Sequence, residues 1–344
     1  MSKPFMGWDI GGVHLKAALL DDSGEVLQVL QLPCKLWLGL DQLAIAINNT
    51  LQAFKIAPSA ASHAVTMTGE LVDLFANRHE GVMEISKLAA KLLGKDTLFY
   101  AANVGFVAFE RVSGHTSAIA STNWHASASA LAMQAIDALF IDIGSTTTDI
   151  IAIEAGKVSS INLSDAARMA DDSLVYTGVV RTPVMALAQK LPFEGAQINL
   201  AAEYFATMAD VYRLTGELLP EHDMAETADG KGKTALESAR RLARMIGHGV
   251  ESKPIETWKS LANTCKTLQM NQIKHALLKH LKPNMSIIGA GAGNFLVQQI
   301  ASELNYAYQS ISMRLTGDTS LINVHDLEVC FTAYAVATLA RQDA

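Results

Sequence analysis

Two stretches of the chain end an apolar run on an aspartate and then turn to small, polar residues. Residues 7–19 read GWDIGGVHLKAAL, and residues 140–151 read FIDIGSTTTDII. Laid over one another, Asp9-Ile10-Gly11-Gly12 matches Asp142-Ile143-Gly144-Ser145. A glycine just after a strand lets backbone N–H groups approach a phosphate with no β-carbon in the way. A carboxylate at the strand end can hold magnesium against phosphate oxygens, directly or through water. Ser145, Thr146, Thr147 and Thr148 would add hydroxyl donors, and Lys16 a positive charge. Either stretch alone also reads as a glycine hairpin capped by Asp and Thr. The same pattern in both halves favours two phosphate loops, with Asp9 and Asp142 as metal ligands.

A third glycine-rich piece, SIIGAGAGN at 286–294, places Gly289, Gly291 and Gly293 between a strand and a helix. That order suits a diphosphate or nucleotide at a helix N-terminus. It equally suits a close strand–helix crossing. The acidic second-strand tip of a dinucleotide fingerprint is missing.

Other side chains suggest acid–base work. TMTGELVDLFANRHEG supplies Glu70 and His79 just past a predicted strand, and either would serve as a general base. The alternative is a solvated helix start with local ion pairs. Arg181, in VVRTPV, would neutralise a bound anion, or else be structural. His222, Asp223, Glu226 and Asp229 share a loop with Lys231 and Lys233. A solvated acidic loop is the better reading than a second cation site, and the lysines suit a mobile flap. Trp124 is read as stacking on an aromatic substrate or as packing.

The elements that must hold these groups alternate between strand and helix, which predicts mixed or parallel sheets. Strands are expected at 6–10 and 15–20, at HAVTMTG, over TLFYAANVGFV, and in a hairpin turned at Ala155-Gly156. Helices are expected after a cap at Asp41, over EISKLAAKLLG, over about 233–246 and 256–281, from Phe295, and from Asp326. At 344 residues, two domains are the default. A net charge of −7 without a Lys/Arg run argues against nucleic acid. Three scattered cysteines offer neither a disulfide framework nor a zinc site, and fit a reducing cytosol. No apolar stretch reaches membrane-spanning length before an aspartate interrupts it, and the opening residues carry no leader-like apolar run. These features lead to the expectation of a soluble, cytoplasmic protein.

The two aspartate–glycine loops and the late glycine turn resemble the actin/sugar-kinase/Hsp70 superfamily, in which duplicated lobes close on a nucleotide. Within it, DIGSTTTDI is similar to the hydantoinase A/oxoprolinase proteins. KLWLGLDQL, TMTGELVDLFANRHEGV, VYTGVVRTPV and ADVYRLTGELLPEHDMAETADG extend the likeness along nearly the whole chain. Together they resemble the tetrahydromethanopterin-linked C1-transfer proteins of methanofuran biosynthesis. The resemblance implies that a phenol oxygen of a tyramine- or tyrosine-type acceptor displaces diphosphate from an aminomethylfuran-methyl diphosphate.

The expected architecture is therefore α/β, with two duplicated lobes of mixed sheets and flanking helices around a central phosphate-binding cleft. The first lobe spans 1–136 and the second 137–344, the latter with a helical insertion at 201–282 and the glycine turn at 286–294. The expected function is a diphosphate-displacing transferase using Glu70, His79 and Arg181, with Mg²⁺ as cofactor. ATP is admitted as a ligand but expected to be unnecessary, because the donor carries its own leaving group. An ATP-dependent kinase or oxoprolinase-like amide hydrolase is the alternative, and a nucleotide-binding regulatory or scaffold protein the second. Partners are small molecules only, and a homodimer is compatible with a sequence that leaves oligomeric state open.

Overall fold

The computed structural model describes residues 3–160, 162–315 and 322–344, so Met1 and Ser2 of the opening stretch lie outside it. The chain forms two compact units, one of residues 1–138, 151–168 and 310–344, the other of 139–150 and 169–309. A single boundary at 136/137 lies close to one crossover, but the chain crosses again and returns its C-terminal part to the first unit.

The first unit is built on strands β1 (Phe5–Ile10), β2 (His14–Leu20), β3 (Val26–Pro33), β4 (Ser62–Met67), β5 (Leu98–Tyr100) and β6 (Phe106–Ala108), ordered β3-β2-β1-β4-β5-β6. β1 pairs antiparallel with β2, placing Asp9 opposite Lys16, and parallel with β4, placing Asp9 beside Thr66. The carboxyl ends of β1 and β4 therefore lie side by side, where open α/β sheets place ligands. The strand expected over TLFYAANVGFV is broken into β5 and β6, because Gly105 adopts φ +82 and turns the chain back antiparallel.

Helix α1 (Leu40–Ala53) and α2 (Arg78–Leu93) cover one face of this sheet, burying Met6, Trp8 and Ile10 with Leu43, Ile47, Val82 and Ile85. Asp41 sits inside the first turn of α1, whose cap is Gly39. α2 starts earlier than EISKLAAKLLG suggests, because the Asn77 side chain accepts the Glu80 N–H and caps it. The unit also holds α3 (Thr116–Ile119), α4 (Asn123–Ala132), the hairpin strand β9 (Lys157–Val158), α5 (Asp165–Ala170), α10 (Val324–Val329) and α11 (Phe331–Asp343). The Ala155-Gly156 turn forms as expected, both residues at positive φ. Helix α11 packs on the second sheet face, where Val336 and Ala340 meet Ala64, Tyr100 and Ala126. Gly7 permits that approach, since a β-carbon there would lie 1.9 Å from the Ala333 carbonyl oxygen. Strands buried on both faces explain the nearly unbroken apolar sequence of β1 and β4.

The second sheet takes the order β10-β8-β7-β13-β14, from β7 (Ala138–Ile143), β8 (Thr148–Glu154), β10 (Leu174–Val175), β13 (Ser286–Ala290) and β14 (Tyr308–Ser310). A small hairpin joins β11 (Lys190–Phe193) and β12 (Ala196–Asn199). The helices of this unit are α6 (Met208–Thr215), α7 (Ala235–Arg244), α8 (Ile255–Leu277) and α9 (Asn294–Glu303). Thr207 with Asp210, and Thr234 with Glu237, form capping boxes that start α6 and α7. Among the described residues no helix is long and apolar enough to cross a membrane.

Candidate functional site: two anion loops and a buried carboxylate

The two aspartate–glycine loops fold alike. In the first, the Gly11 N–H closes the turn by donating to the His14 carbonyl at 3.0 Å. In the second, the Gly144 N–H donates to the Thr147 carbonyl at 2.9 Å. Each leading glycine thus spends its own amide on the hairpin. The amides inside the loops, at Gly12 and Val13 and at Ser145 and Thr146, have no acceptor among the described residues. The Ser145 hydroxyl is likewise buried without a partner there. Partnerless donors at a half-buried turn suit an anion, since such groups cost free energy unless something accepts from them.

Gly144 adds to this. Its φ is not positive, and a β-carbon there would meet nothing nearer than Thr147 O at 3.6 Å. The protein's own packing does not require glycine at 144, whereas close approach of a ligand would. Thr148 departs from the expected row of hydroxyl donors. It is fully buried, and its Oγ1 donates to the Thr177 carbonyl at 2.6 Å.

The second loop is braced from behind by residues 177–182. Val179 N–H donates to Gly144 O at 3.0 Å, and Val180 and Arg181 N–H to Ser145 O at 3.1 and 2.8 Å. Gly178 fits against the loop backbone, its missing β-carbon 2.5 Å from Thr146 N. Gln269 on α8 holds the brace, donating to Thr177 Oγ1 at 2.8 Å and Gly178 O at 2.9 Å, and it accepts from the buried Tyr212 hydroxyl. Arg181 is held beside Ser145 by its backbone while its side chain is exposed.

Gly289, Gly291 and Gly293 are each explained by internal packing. A β-carbon would lie 2.1 Å from Asn294 Oδ1 at Gly289, 2.3 Å from Asp142 Oδ1 at Gly291, and 2.4 Å from Ile143 Cγ2 at Gly293. Gly291 also adopts φ +82. The third glycine turn therefore seats β7 and the Asp142 carboxylate.

Among the described residues no three His, Cys, Asp or Glu side chains cluster as a metal site. Magnesium needs less, one or two carboxylates completed by water and phosphate oxygens. Asp142, half-buried and held over Gly291 at the head of an amide-lined loop, fits that requirement. Asp9 is 3% exposed and its Oδ2 lies 3.4 Å from Lys16 Nζ, so its charge is already shared.

Glu70 follows a residue that packs on the first loop. Gly69 packs on the loop, its absent β-carbon 3.2 Å from Ile10 O, and Glu70 follows it directly. Gly81 lets α2 close over Glu70, whose carbonyl oxygen lies 2.5 Å from where Gly81 would carry a β-carbon. Glu70 is 1% exposed; Oε1 accepts from the Ser121 hydroxyl at 2.7 Å, and Oε2 has no hydrogen-bond partner among the described residues. Burial pushes the carboxyl up from 4.5 to about 7, against the opposing pull of the Ser121 hydrogen bond and the Arg78 charge. Ser121 Oγ also lies 3.3 Å from Asp165 Oδ2, and Asp165 pairs with Arg78. Ser121 holds φ +53, a conformation costing an ordinary residue about 1–2 kcal/mol. Sequence reasoning missed Ser121 and Asp165, which belong to no motif.

His79 is not part of this cluster. It is exposed in the first turn of α2 and hydrogen-bonded to Thr116 Oγ1 at 3.0 Å. Trp124 is 3% exposed and the Arg168 guanidinium lies 4.0 Å from its ring centroid, so this face already has its stacking partner. The loop after α6 keeps Glu226, Lys231 and Lys233 exposed but ties down Asp223 and Asp229. Arg213 grips both Asp223 oxygens at 2.6 and 2.7 Å, Lys233 lies 3.2 Å from Asp223, and the buried Arg241 joins Asp210 to Asp229.

The hydantoinase/oxoprolinase family profile matches residues 62–314. A curated relative from Methanocaldococcus jannaschii, a (4-{4-[2-(gamma-L-glutamylamino)ethyl]phenoxymethyl}furan-2-yl)methanamine synthase, is 31% identical over 242 residues, covering 70% of this chain and 71% of the relative. A protein of the same name from Methanococcus vannielii is 29% identical over 195 residues, 53% of this chain and 85% of that one. Among solved structures, nucleotide-free acetone carboxylase superposes with a TM-score of 0.60 at 10% identity, covering 98% of this chain and 70% of that one. That likeness speaks for the fold, which is of the expected actin/sugar-kinase/Hsp70 type. With the family profile spanning most of its length and a curated relative above 30% identity, this chain belongs to the hydantoinase/oxoprolinase family, in the group that contains these furan-methanamine synthases.

Proposed function

We propose that this protein forms an aryl ether, joining the phenol oxygen of a tyramine- or tyrosine-type acceptor to the methylene carbon of an aminomethylfuran-methyl diphosphate. The observation that carries this reading is the 31% identity, over 70% of the chain, to a synthase whose named product contains that phenoxymethyl-furan linkage. In the step, the phenol O–H gives its proton to a base, the oxygen attacks the methylene carbon, and the carbon–oxygen bond to diphosphate breaks with its electron pair on the leaving group. The furan delocalises positive charge at that carbon, so stabilising the departing anion matters most.

The chain's residues supply matching parts. The amides of Gly12 and Val13, with Lys16 nearby, suit the diphosphate at the first loop; Ser145 and Thr146 offer the same at the second. Magnesium, held by Asp142, would neutralise charge on the phosphate oxygens. Glu70 is the base, its proton affinity raised by burial into the range useful near neutral pH. Glu70 is closed off from solvent, so a local opening must admit the acceptor to it. Arg181, exposed beside Ser145, is left to pair with phosphate or an acceptor carboxylate.

The test is to incubate the purified protein with the furan diphosphate and each of tyramine, γ-glutamyltyramine and tyrosine, following the ether by mass spectrometry and diphosphate by assay. Ether with stoichiometric diphosphate supports the proposal. Failure with all three acceptors, alongside acceptor-dependent ATP hydrolysis, would replace it with a kinase or amide-hydrolase reading.

A further inference from the structure

We infer that Ser121 and Asp165 form a proton exit from Glu70, carrying to solvent the proton that the phenol gives up; this rests on Glu70 being the base. A base sealed from water can act once but must be emptied before the next turnover. Among the described residues the side chain that donates to Glu70 Oε1 is Ser121, its hydroxyl at 2.7 Å. The same hydroxyl lies 3.3 Å from Asp165 Oδ2. Asp165 in turn pairs with Arg78, whose side chain is 40% exposed while that of Asp165 is 13% exposed. Glutamate, serine, aspartate and arginine thus run in file from a buried carboxylate to the surface of one compact unit.

A serine hydroxyl suits the middle position because it accepts and donates at the same atom. With Glu70 ionised, Ser121 donates to Oε1. Once Oε2 has taken the phenol proton and the carboxyl group has turned, the new O–H faces Ser121. It donates to Oγ, Ser121 passes its own hydrogen to Asp165 Oδ2, and Asp165 releases it to water. One proton enters and one leaves, and no electron pair leaves its atom. The charged groups facing Glu70, Arg78 and Asp165, are both members of the file.

Two features keep Ser121 in place. Its backbone holds φ +53, which glycine or asparagine would adopt more readily, so the hydroxyl is retained against local preference. On α5, Arg168 lies against Trp124 one turn after Asp165 meets Ser121, so the helix is pinned at both points of the 121–125 corner.

The experiment compares the first turnover, by rapid quench, with steady-state ether formation in dilute buffer for wild type, Ser121→Ala and Asp165→Asn. The expected result is a steady-state loss at least about tenfold greater than the first-turnover loss, shrinking as imidazole is added to carry protons directly. Equal losses in both phases, without imidazole rescue, would make Ser121 a structural residue and overturn the inference, as would wild-type steady-state rates. Asp165→Asn keeps the test open if Ser121→Ala does not fold. Glu70→Gln separates the two readings: full activity in that variant removes the base itself, whereas an inactive Glu70→Gln with a normal Ser121→Ala removes only the exit.

Discussion

The Asp142 carboxylate occupies the space where Gly291 would carry a β-carbon, 2.3 Å from that position. Gly144, two residues after Asp142, has no such neighbour. The two glycines should therefore fail differently. Gly291→Ala, at φ +82, should lower the melting temperature and cut ether formation by at least about tenfold, by displacing Asp142. Gly144→Ala should melt like wild type yet lose activity, because its methyl group intrudes only on ligand. A fully active Gly144→Ala would remove the second loop from the anion site.

Asp142→Asn isolates the charge from the shape. Loss of one preorganised electrostatic group should reduce turnover by about 10²-fold while thermal stability changes little. The magnesium concentration needed for half-maximal rate should rise as well. Wild-type turnover with an unshifted magnesium dependence would exclude Asp142 as the metal's carboxylate.

Glu70 makes a linked prediction for rate and stability. As the ionised base, it should give a rate that climbs with pH through about 7, a limb that Glu70→Gln lacks. Its folded carboxyl titrates above its ordinary value, so the native state binds the extra proton between about 4.5 and 7. Stability is therefore greatest at low pH and falls as pH rises through that window, by on the order of 3 kcal/mol. Glu70→Gln should thus gain melting temperature over wild type as pH is raised from 5 to 8. A constant difference across that range would show that burial does not hold the proton there.

The ion network behind α6 predicts a large structural cost. Arg241 and Asp210 are both fully buried, and Arg241→Met removes one of the two guanidinium partners of Asp210, Arg213 remaining at 2.8 Å. The expected loss is about 1–3 kcal/mol, with residues 220–233 becoming sensitive to limited proteolysis. Asp210→Asn combined with Arg241→Met should cost less than the two single changes added together. Strict additivity would mean the two residues do not act as a pair.

Ether formation should need Mg²⁺ but no nucleotide, because the diphosphate ester already carries the leaving group. Product yield after exhaustive nucleotide removal, with ADP assayed when ATP is restored, decides the matter. Strict ATP dependence with stoichiometric ADP would overturn the mechanism.

What the sequence reveals of this site follows the distance over which the cause acts. Asp9-Gly11 and Asp142-Gly144 are legible because a hairpin is built from neighbouring residues, and its glycines sit in the motif itself. Glu70 is legible as a strand-end carboxylate. Ser121 is not, since it becomes chemical only when β4 and α5 converge on it. The charged loop at 222–233 reads as solvated because its partners, Arg213 and Arg241, stand on separate helices. Trp124 looks available for stacking until Arg168 is seen covering it. The third glycine turn has a ligand's pattern but a packing cause, and a pattern alone does not separate the two.

Helix α11 has a consequence for the order in which a ribosome makes this molecule. β1 emerges long before α11, and the face bearing Gly7 stays bare until residues 331–343 arrive to meet it. The unit of residues 139–150 and 169–309 lies wholly upstream of that helix and can be complete while the N-terminal sheet still waits. All residues of that unit are therefore available before those of the first unit are. Through that interval Ala64, Tyr100 and Ala126 expose apolar surface, which makes a chain stalled short of α11 a natural client for chaperones.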